Sequence, residues 1–255
     1  MYRWCAYCQQ YQGEKAPFDD HSLTHGICTS CLASAHLGDE DALGRLQPII
    51  EFMGAMRAMA RTGHHVSVAT VVQYGRGLGM RPIDLLVGIL QPALYELGKL
   101  WEQGTIGPSV EASFSAFSDE LLTELERQQV QGPTSVRSAP VVLLNARRNL
   151  HTLGLRVTAF LLRERGIAAL AITPTPAVDE LTARLRVLSP AVVGVSLATD
   201  WQLPFLDEVL AAVATLSPRP RVVAGGMAVI AGHALPVGVE AYTDLEGFVA
   251  TVRRG

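Results

Sequence analysis

Apolar residues recur at helical spacing in the part of the chain that begins near residue 39. They fall three and four residues apart, as the buried face of an amphipathic helix requires. Four helices are predicted, at 41–61, at 67–78, from 82 onward and at 108–129. Ser67 is a good N-cap, and Pro82 and Pro108 suit a first helical turn. Short loops between the helices predict an antiparallel four-helix bundle over residues 39–130.

The first of these helices carries the most regular stripe. We expect its buried face to consist of Leu43, Leu46, Ile49, Ile50, Met53, Met56 and Met59. Methionine fills irregular gaps in a core, so these methionines indicate packing more readily than a cofactor site.

The pattern changes beyond residue 139, where short apolar runs alternate with helical stretches. Strands are predicted at 140–145, 168–173, 191–196, 221–224 and 240–242, and helices from 151, at 178–188, at 203–216 and shortly after 226. This alternation predicts an α/β domain over 139–255 with a doubly wound, flavodoxin-like parallel sheet. Gln131-Gly132-Pro133-Thr134-Ser135 is predicted to link it to the bundle.

Open parallel sheets bind ligands at the carboxyl ends of their strands. The loops that follow the first, third and fourth predicted strands contain His151, Ser196 and the pair Gly225-Gly226. These loops are therefore the candidate ligand site.

Composition excludes some classes of function. The net charge of −3 and the pI near 6.2 give no electrostatic case for binding nucleic acid or an anionic membrane. The N-terminus lacks the apolar stretch of a signal peptide, and no run approaches the roughly 18 apolar residues of a transmembrane helix. We expect a soluble, cytoplasmic protein.

Residues 1–35 contain two Cys-x-x-Cys pairs. Cys5 and Cys8 are separated from Cys28 and Cys31 by 19 residues, a spacing typical of a zinc ribbon. Four thiolates close a tetrahedral Zn²⁺ site with no open position, so the predicted zinc is structural. Disulfides are disfavoured because nothing indicates an oxidising compartment.

The other residues of this segment are assigned to packing. His21 and His25 are interpreted as ordinary polar residues, because four cysteines suffice for a metal. Four aromatic residues are expected to pack the ribbon onto the next domain, with a partner-binding face as the alternative: Tyr2, Trp4, Tyr7 and Tyr11.

The loop residues also form an ordered motif. Asn149-Leu150-His151-Thr152-Leu153-Gly154 is followed after 41 residues by Ser196-Leu197-Ala198, and after another 26 by Gly225-Gly226. This order resembles the Asp-x-His-x-x-Gly, Ser-x-Leu and Gly-Gly elements of the cobalamin-binding Rossmann modules. The resemblance implies that His151 is the lower cobalt ligand and that Ser196, Gly225 and Gly226 receive the displaced benzimidazole tail.

The helical half resembles the bundle that precedes this Rossmann half in light-sensing adenosylcobalamin regulators and corrinoid methyl-transfer proteins. Trp101 and Glu111, ten residues apart, resemble the photoreceptor cap over the upper cobalt ligand. The alternative for Trp101 is an aromatic core residue. The resemblance covers roughly residues 40–250 and leaves the ribbon outside it.

Four residues depart from the pattern. Asn149 replaces the family's aspartate. Its amide carbonyl can still orient His151 through the second ring nitrogen but cannot raise the basicity of the ring, which implies a weaker or switchable bond between cobalt and histidine. Glu102 and Ala112 stand where photoreceptors have histidines, and Ala198 replaces a leucine. The smaller side chains predict a roomier cavity, into which a bilin such as biliverdin could fit, as in photocobilins.

The resemblance implies a photoreceptor or antirepressor-like signal-transduction module rather than an enzyme. A corrinoid, expected to be adenosylcobalamin, would lie between bundle and Rossmann domain, and light would change conformation or the binding of a protein partner. Self-association is a further expectation. The alternatives are a corrinoid carrier subunit of a methyltransferase system, a haem-binding sensor of the same fold, and a cobalamin storage module.

Overall fold

The computed structural model describes residues 1–17, 20–34, 44–129 and 139–252. Its chain divides into two compact units, Met1–Gln128 and Gln129–Gly255. The predicted linker at 131–135, Leu43 and the predicted start of the first helix lie outside the described residues.

A small sheet opens the first unit. Its strands are β1 (Tyr2–Cys5), β2 (Tyr11–Glu14) and β3 (Leu23–Gly26), followed by the short helix α1 (Thr29–Ala33). The strand order is β2-β1-β3, with β1 antiparallel to β2 and parallel to β3. This arrangement confirms the small cysteine-containing ribbon.

The remainder of the first unit is helical, as predicted. A 3-10 turn (Gly44–Leu46) leads into α2, and the helices are α2 (Gln47–Thr62), α3 (Val68–Gly77), α4 (Gln91–Glu102) and α5 (Pro108–Gln128). Helix α2 packs against α4 and α5, and α3 packs against α5. Ser67 caps α3, where its hydroxyl accepts a hydrogen bond from the Thr70 N–H at 3.2 Å.

The predicted face of α2 is wrong at Ile50, whose side chain is 44% exposed. Successive helical residues point about 100° apart, and this rotation places Ile50 beyond the edge of the face that Ile49, Met56 and Ala60 form. The buried side of α2 consists of Ile49, Phe52, Met53, Met56 and Ala60.

The third predicted helix is not uniformly α-helical. Its first part, Asp84–Leu90, is a π-helix, and the Gln91 N–H donates to the Leu86 carbonyl five residues earlier. Pro92 has no N–H to offer the Gly88 carbonyl, so the α-helical bonding pattern is already interrupted there. The regular helix α4 then continues to Glu102.

The second unit is the predicted α/β domain. Its elements are β4 (Val141–Asn145), α6 (Leu153–Glu164), β5 (Ala169–Ile172), α7 (Val178–Leu188), β6 (Val192–Ser196), α8 (Phe205–Ala214), β7 (Arg221–Gly225), α9 (Met227–Ile230), β8 (Val239–Ala241) and α10 (Leu245–Val252). A 3-10 turn, Asp200–Gln202, precedes α8. All strands are parallel in the order β5-β4-β6-β7-β8, which is the flavodoxin-like order.

Both faces of this sheet are covered. Val142 and Leu144 pack with residues of α7 and α8, whereas Val141 and Leu143 pack with residues of α6 and α10. A strand that is buried on both faces is apolar at every position, which explains the uninterrupted run that predicted β4. None of the helices in the described part of the chain combines the length and apolar content that crossing a membrane requires.

Candidate functional site

The carboxyl ends of three neighbouring strands meet as predicted. Asn145 at the end of β4 pairs in register with Ser196 at the end of β6, and Ser196 pairs with Gly225 at the end of β7. The loop that contains His151 follows β4 directly. The register therefore brings the three predicted motif elements to one edge of the sheet.

Asn149 anchors the loop after β4. It is 7% exposed, its Oδ1 accepts from the His151 backbone N–H at 3.0 Å, and its Nδ2 donates to the Ser196 carbonyl at 3.3 Å. The sequence led us to expect that this amide orients the His151 imidazole. In the structure these contacts fix the backbone of the loop and tie it to β6.

His151 itself presents an exposed side chain at this edge. Beneath it, the buried Asn145 donates from its side chain to the Asn149 carbonyl, while within the described residues its Oδ1 has no hydrogen-bond partner. A buried oxygen without a donor costs free energy, and a ligand with a donor group would satisfy it. Asn145 was not predicted as a site residue, although an amide at the carboxyl end of an apolar strand could have indicated it.

Gly226 is required by the protein's own packing. Its φ is +104°, and a Cβ at this position would lie 2.4 Å from the Leu197 carbonyl oxygen. The Leu197 N–H in turn donates to the Gly225 carbonyl at 2.9 Å. The glycine pair thus lets the backbone after β6 run close to the end of β7, whatever else it accommodates.

Gly154 has no such requirement. It is the second residue of α6, and a Cβ there would meet no protein atom within 4 Å. Glycine is less favourable than alanine in a helix by roughly 0.5–1 kcal/mol. Its missing side chain leaves open space next to the His151 loop among the described residues.

The second motif element, Ser196-Leu197-Ala198, ends in a small side chain. Ser196 is half-buried, and the Ala198 N–H donates to Oε1 of the buried Gln202 at 2.7 Å. Gln202 also accepts from the Thr199 N–H, so one amide side chain shapes the whole turn after β6. These contacts of Gln202 with the backbone after β6 were not predicted from the sequence.

The two predicted cap residues lie in the first unit, on either side of the turn between α4 and α5. Trp101, in the last turn of α4, is 45% exposed, so the alternative that it is an aromatic core residue is wrong. Glu111 lies in the first turn of α5, and its Oε1 accepts from the Ser115 hydroxyl at 2.7 Å. The helical unit therefore presents a large indole that its own packing does not use fully.

The four cysteines come together as the spacing predicts. The Sγ atoms of Cys5, Cys8, Cys28 and Cys31 all lie within 4.8 Å of one another. Two of them accept backbone hydrogen bonds at 3.4 Å, Cys5 from the Cys28 N–H and Cys28 from the Cys31 N–H. Four soft ligands this close form a donor set that suits Zn²⁺.

Local electrostatics separate the two thiols of the first pair. Burial raises the pKa of the Cys5 thiol, but backbone N–H groups of Cys8 and Cys28 outweigh it and lower that pKa to about 7. Burial raises the pKa of Cys8 to about 12. A bound cation would favour the thiolate form at both positions.

His21, interpreted above as an ordinary polar residue, is half-buried against an aromatic side chain. Its ring stacks on Tyr95 with centroids 4.7 Å apart and 4° between the planes. It lies outside the four-residue metal-ligand cluster found among the described residues.

Comparisons with known proteins agree with this geometry. Residues 139–242 match the family model of the B12 binding domain, and residues 56–126 match a second family model that is also described as a B12 binding domain. The comparison with curated proteins gave no match.

Solved structures with a similar fold include the monomethylamine corrinoid protein of Methanosarcina barkeri. It is 15% identical, the match covers 80% of this chain and 97% of that chain, and the TM-score is 0.59. A cobalamin-binding protein from Desulfitobacterium hafniense DCB-2 matches at 15% identity over 79% of this chain and 97% of that chain, with a TM-score of 0.39. The methanol:cobalamin methyltransferase complex of Methanosarcina barkeri matches at 16% identity over 90% of each chain, with a TM-score of 0.40.

At these identities the structural likeness shows the fold alone. The family matches cover the strands and loops that carry the motif elements, together with most of the helical part. They support the assignment of this chain as a cobalamin-binding protein built on B12-binding domains.

Proposed function

We propose that this protein is a cobalamin-binding light sensor in which His151 is the lower cobalt ligand and Trp101 covers the upper one. The observation that carries the sensor role is the 45% exposure of Trp101 on a helical unit whose other large apolar residues mostly lie in its core. Cobalamin, when bound with an alkyl group, supplies a cobalt–carbon bond that visible light can break.

His151 is suited to be a cobalt ligand that can dissociate from the metal. Its backbone is held by Asn149, while its imidazole is exposed at the carboxyl edge of the sheet. A carboxylate on the second ring nitrogen would raise the basicity of the imidazole, and the Asn149 amide carries no charge to do so. We expect a cobalt–histidine bond that is weaker than in relatives with aspartate.

The rest of the edge is suited to hold the body and tail of a corrinoid. Gly154 leaves open space beside the loop, and Asn145 offers an oxygen that has no hydrogen-bond partner among the described residues. Ser196, at the end of β6, lies between Asn145 and Gly225. In this proposal the Ser196 hydroxyl bonds the displaced base, and the short Ala198 leaves room at the rim.

Trp101 and Glu111 are proposed to retain the upper group, with adenosylcobalamin as the preferred form. Loss of that group would remove a contact partner of Trp101 and leave the helical unit free to repack, because a ligand biases two states only through its differential affinity for them. The output is altered binding of a protein partner or of a second copy. A bilin beside the corrin would be a variant of the same sensor, whereas haem in place of the corrin would be the alternative haem-binding sensor.

A corrinoid carrier is the second candidate, and one observation favours it. The fold is similar to that of the monomethylamine corrinoid protein, with a TM-score of 0.59. A carrier must present cobalt to a partner enzyme, so it would be expected to tolerate loss of Trp101. In both candidate functions the four-cysteine cluster is proposed to hold structural Zn²⁺ and to take no part in the cobalt chemistry.

The deciding experiment is absorption spectroscopy on protein purified in the dark after expression with cobalamin, haem precursor and biliverdin available. A corrin spectrum that changes on illumination supports the sensor, and a light-insensitive corrin spectrum supports the carrier or a storage role. A Soret band alone, or no chromophore, would overturn cobalamin binding as the function.

Matched variants assign the two axial positions. His151→Ala should abolish the histidine-ligated spectrum, while His233→Ala, also exposed in the C-terminal unit, should leave it unchanged. Trp101→Ala should weaken retention of the adenosyl form relative to Tyr74→Ala, which removes an aromatic ring of nearly equal exposure, 46%, from the same unit. Equal retention in both variants would remove Trp101 from the proposal.

A further inference from the structure

The ribbon cannot form a core by itself. It consists of the residues up to Ser34, far below the roughly 40 residues at which small domains begin to fold without metals or disulfides. Tyr2 and Trp4 are nevertheless fully buried, and Tyr11 is 8% exposed. Their partners must therefore come largely from the helices of the same unit.

Trp4 packs directly against the π-helical segment. A Cβ built on Gly88 would lie 2.5 Å from Cζ2 and 3.1 Å from Cη2 of the Trp4 indole. Only glycine permits this approach, because such distances are well inside van der Waals contact. Trp4 immediately precedes Cys5, so a predicted metal ligand and this contact share one strand end.

A buried carboxylate makes the second connection. Asp84 is fully buried, and its Oδ1 accepts from the Tyr11 N–H at 2.9 Å and from Arg81 Nη2 at 2.7 Å. Arg81 Nε donates to Asp84 Oδ2 at 3.0 Å, and Arg81 Nη2 also donates to the Tyr11 carbonyl at 3.0 Å. Strand β2 is thus bonded through both backbone groups of Tyr11. The N–H bonds Asp84 at the start of the π-helical segment, and the carbonyl bonds Arg81 just before it.

The contact surface continues into α4. Gln91 Nε2 donates to Glu14 Oε1 at 3.0 Å, and Tyr95 stacks on His21, which lies just before β3. Burial raises the pKa of Glu14, as expected for a carboxyl enclosed by this interface. The helical stretch from Asp84 to Tyr95 therefore contacts strands β1 and β2 and the segment just before β3.

We infer that the four-cysteine cluster is a Zn²⁺ site whose occupancy stabilises the helices of the N-terminal unit, and not the ribbon alone. The metal would join the end of β1, the following turn and α1, and so hold β1 and β2 in the register that Trp4 and Tyr11 need. Binding to the folded state alone raises stability by mass action, and the helices share that gain because they form one interface with the ribbon.

The first test uses the full-length, cobalamin-free protein, so its outcome is independent of the proposed light-sensing function. We expect one zinc per chain by elemental analysis, and removal of zinc with a strong chelator should lower the helix melting temperature, followed by far-ultraviolet circular dichroism, by about 10 °C or more. Re-addition of Zn²⁺ should restore it. Absence of zinc, or helix melting that is unchanged by its removal, would overturn the inference.

The second test breaks the contact without touching a cysteine. Gly88→Ala should lower the melting temperature, and it should lower the retention of zinc against a competing chelator by about tenfold, which corresponds to about 1.4 kcal/mol of coupling. Gly98→Ala is the matched control, since it lies in α4 and its Cβ would meet nothing within 4 Å. It should leave zinc retention unchanged.

A double variant guards against simple misfolding of Gly88→Ala. Trp4→Phe removes the atoms of the indole that the new methyl group would strike, so adding it to Gly88→Ala should recover part of the zinc retention. If Gly88→Ala folds but holds zinc as tightly as the unaltered protein does, the metal site and the helices are independent and the inference fails.

Discussion

The four-cysteine cluster and the carboxyl edge of the C-terminal sheet differ in how completely the protein arranges their ligand atoms. In the cluster, four Sγ atoms lie within 4.8 Å of one another, and backbone N–H groups already bond two of them. At the sheet edge, His151 is exposed, Asn145 keeps an unsatisfied oxygen, and space remains open beside Gly154. The first resembles a closed structural site and the second a site that its ligand completes.

This difference indicates at which residues a substitution should change stability and at which it should change ligand binding. Around the cluster, each residue singled out above has a packing partner in the same unit, so substitutions there should act on stability. At the sheet edge, some residues are held by the protein and others face open space, so stability and binding should separate position by position.

Asp84→Ala should have the largest effect on stability. The Tyr11 N–H would lose its buried acceptor, which costs roughly 1–3 kcal/mol, and loss of the charge-assisted bonds from the partly exposed Arg81 would add to that cost. Chemical denaturation of the N-terminal unit measures the change. Asp207→Ala, an exposed position in α8, is the control and should cost far less; equal losses would contradict the packing role of Asp84.

Gly226→Ala should destabilise the C-terminal unit by roughly 1–3 kcal/mol. Alanine is strained at a φ of +104°, and its Cβ would collide with the Leu197 carbonyl. Thermal unfolding of corrinoid-free protein gives the size of the effect. A variant as stable as the unaltered protein would mean that the backbone after β6 can move away from β7 at little cost.

Gly154→Ala should separate binding from folding. The helix should gain up to about 1 kcal/mol, because alanine is the better helix former and the new methyl group meets no protein atom. Corrinoid affinity, measured by equilibrium titration of the apoprotein, should fall. If affinity were unchanged, the space beside Gly154 would not be part of the binding site.

The smallest effect concerns pH and His21. Burial, followed by repulsion from Arg57, lowers the pKa of His21 below its ordinary value near 6.5, against a weaker opposite influence of Asp20. Below that pH the unfolded chain takes up a proton that the folded chain resists, so the contribution to stability is present above pH 6.5 and is lost as the pH falls. His21→Gln should flatten the pH dependence of urea unfolding between pH 7.5 and 5, whereas His25→Gln, which is exposed, should not.

Most of the fold was predictable because it depends on local periodicity. The apolar run of β4 and the alternation after residue 139 led to the observed strand order, and the Cys-x-x-Cys spacing led to the observed cluster. Ile50 shows the limit, because a stripe with two adjacent apolar residues does not say which one faces the core.

Long-range contacts account for what was missed. The sequence singles out neither Gly88 nor Asp84, since their roles depend on Trp4 and Tyr11, more than 70 residues earlier in the chain. The Asn149 amide bonds the His151 backbone N–H because it lies two residues before His151, where such a turn is the nearer option, and its role toward the His151 ring stays a prediction. The roles of His151, Trp101 and the glycines toward a corrinoid remain predictions for the experiments above.

The π-helical segment should also be recognisable when this chain is aligned with its relatives. Closing hydrogen bonds over five residues instead of four accommodates one residue more than an α-helical turn does. Relatives that lack the ribbon have no Trp4 to receive, and they can follow an ordinary α-helix here. Aligned with this chain, such relatives should show a single-residue deletion between Asp84 and Pro92, inherited together with the loss of both cysteine pairs.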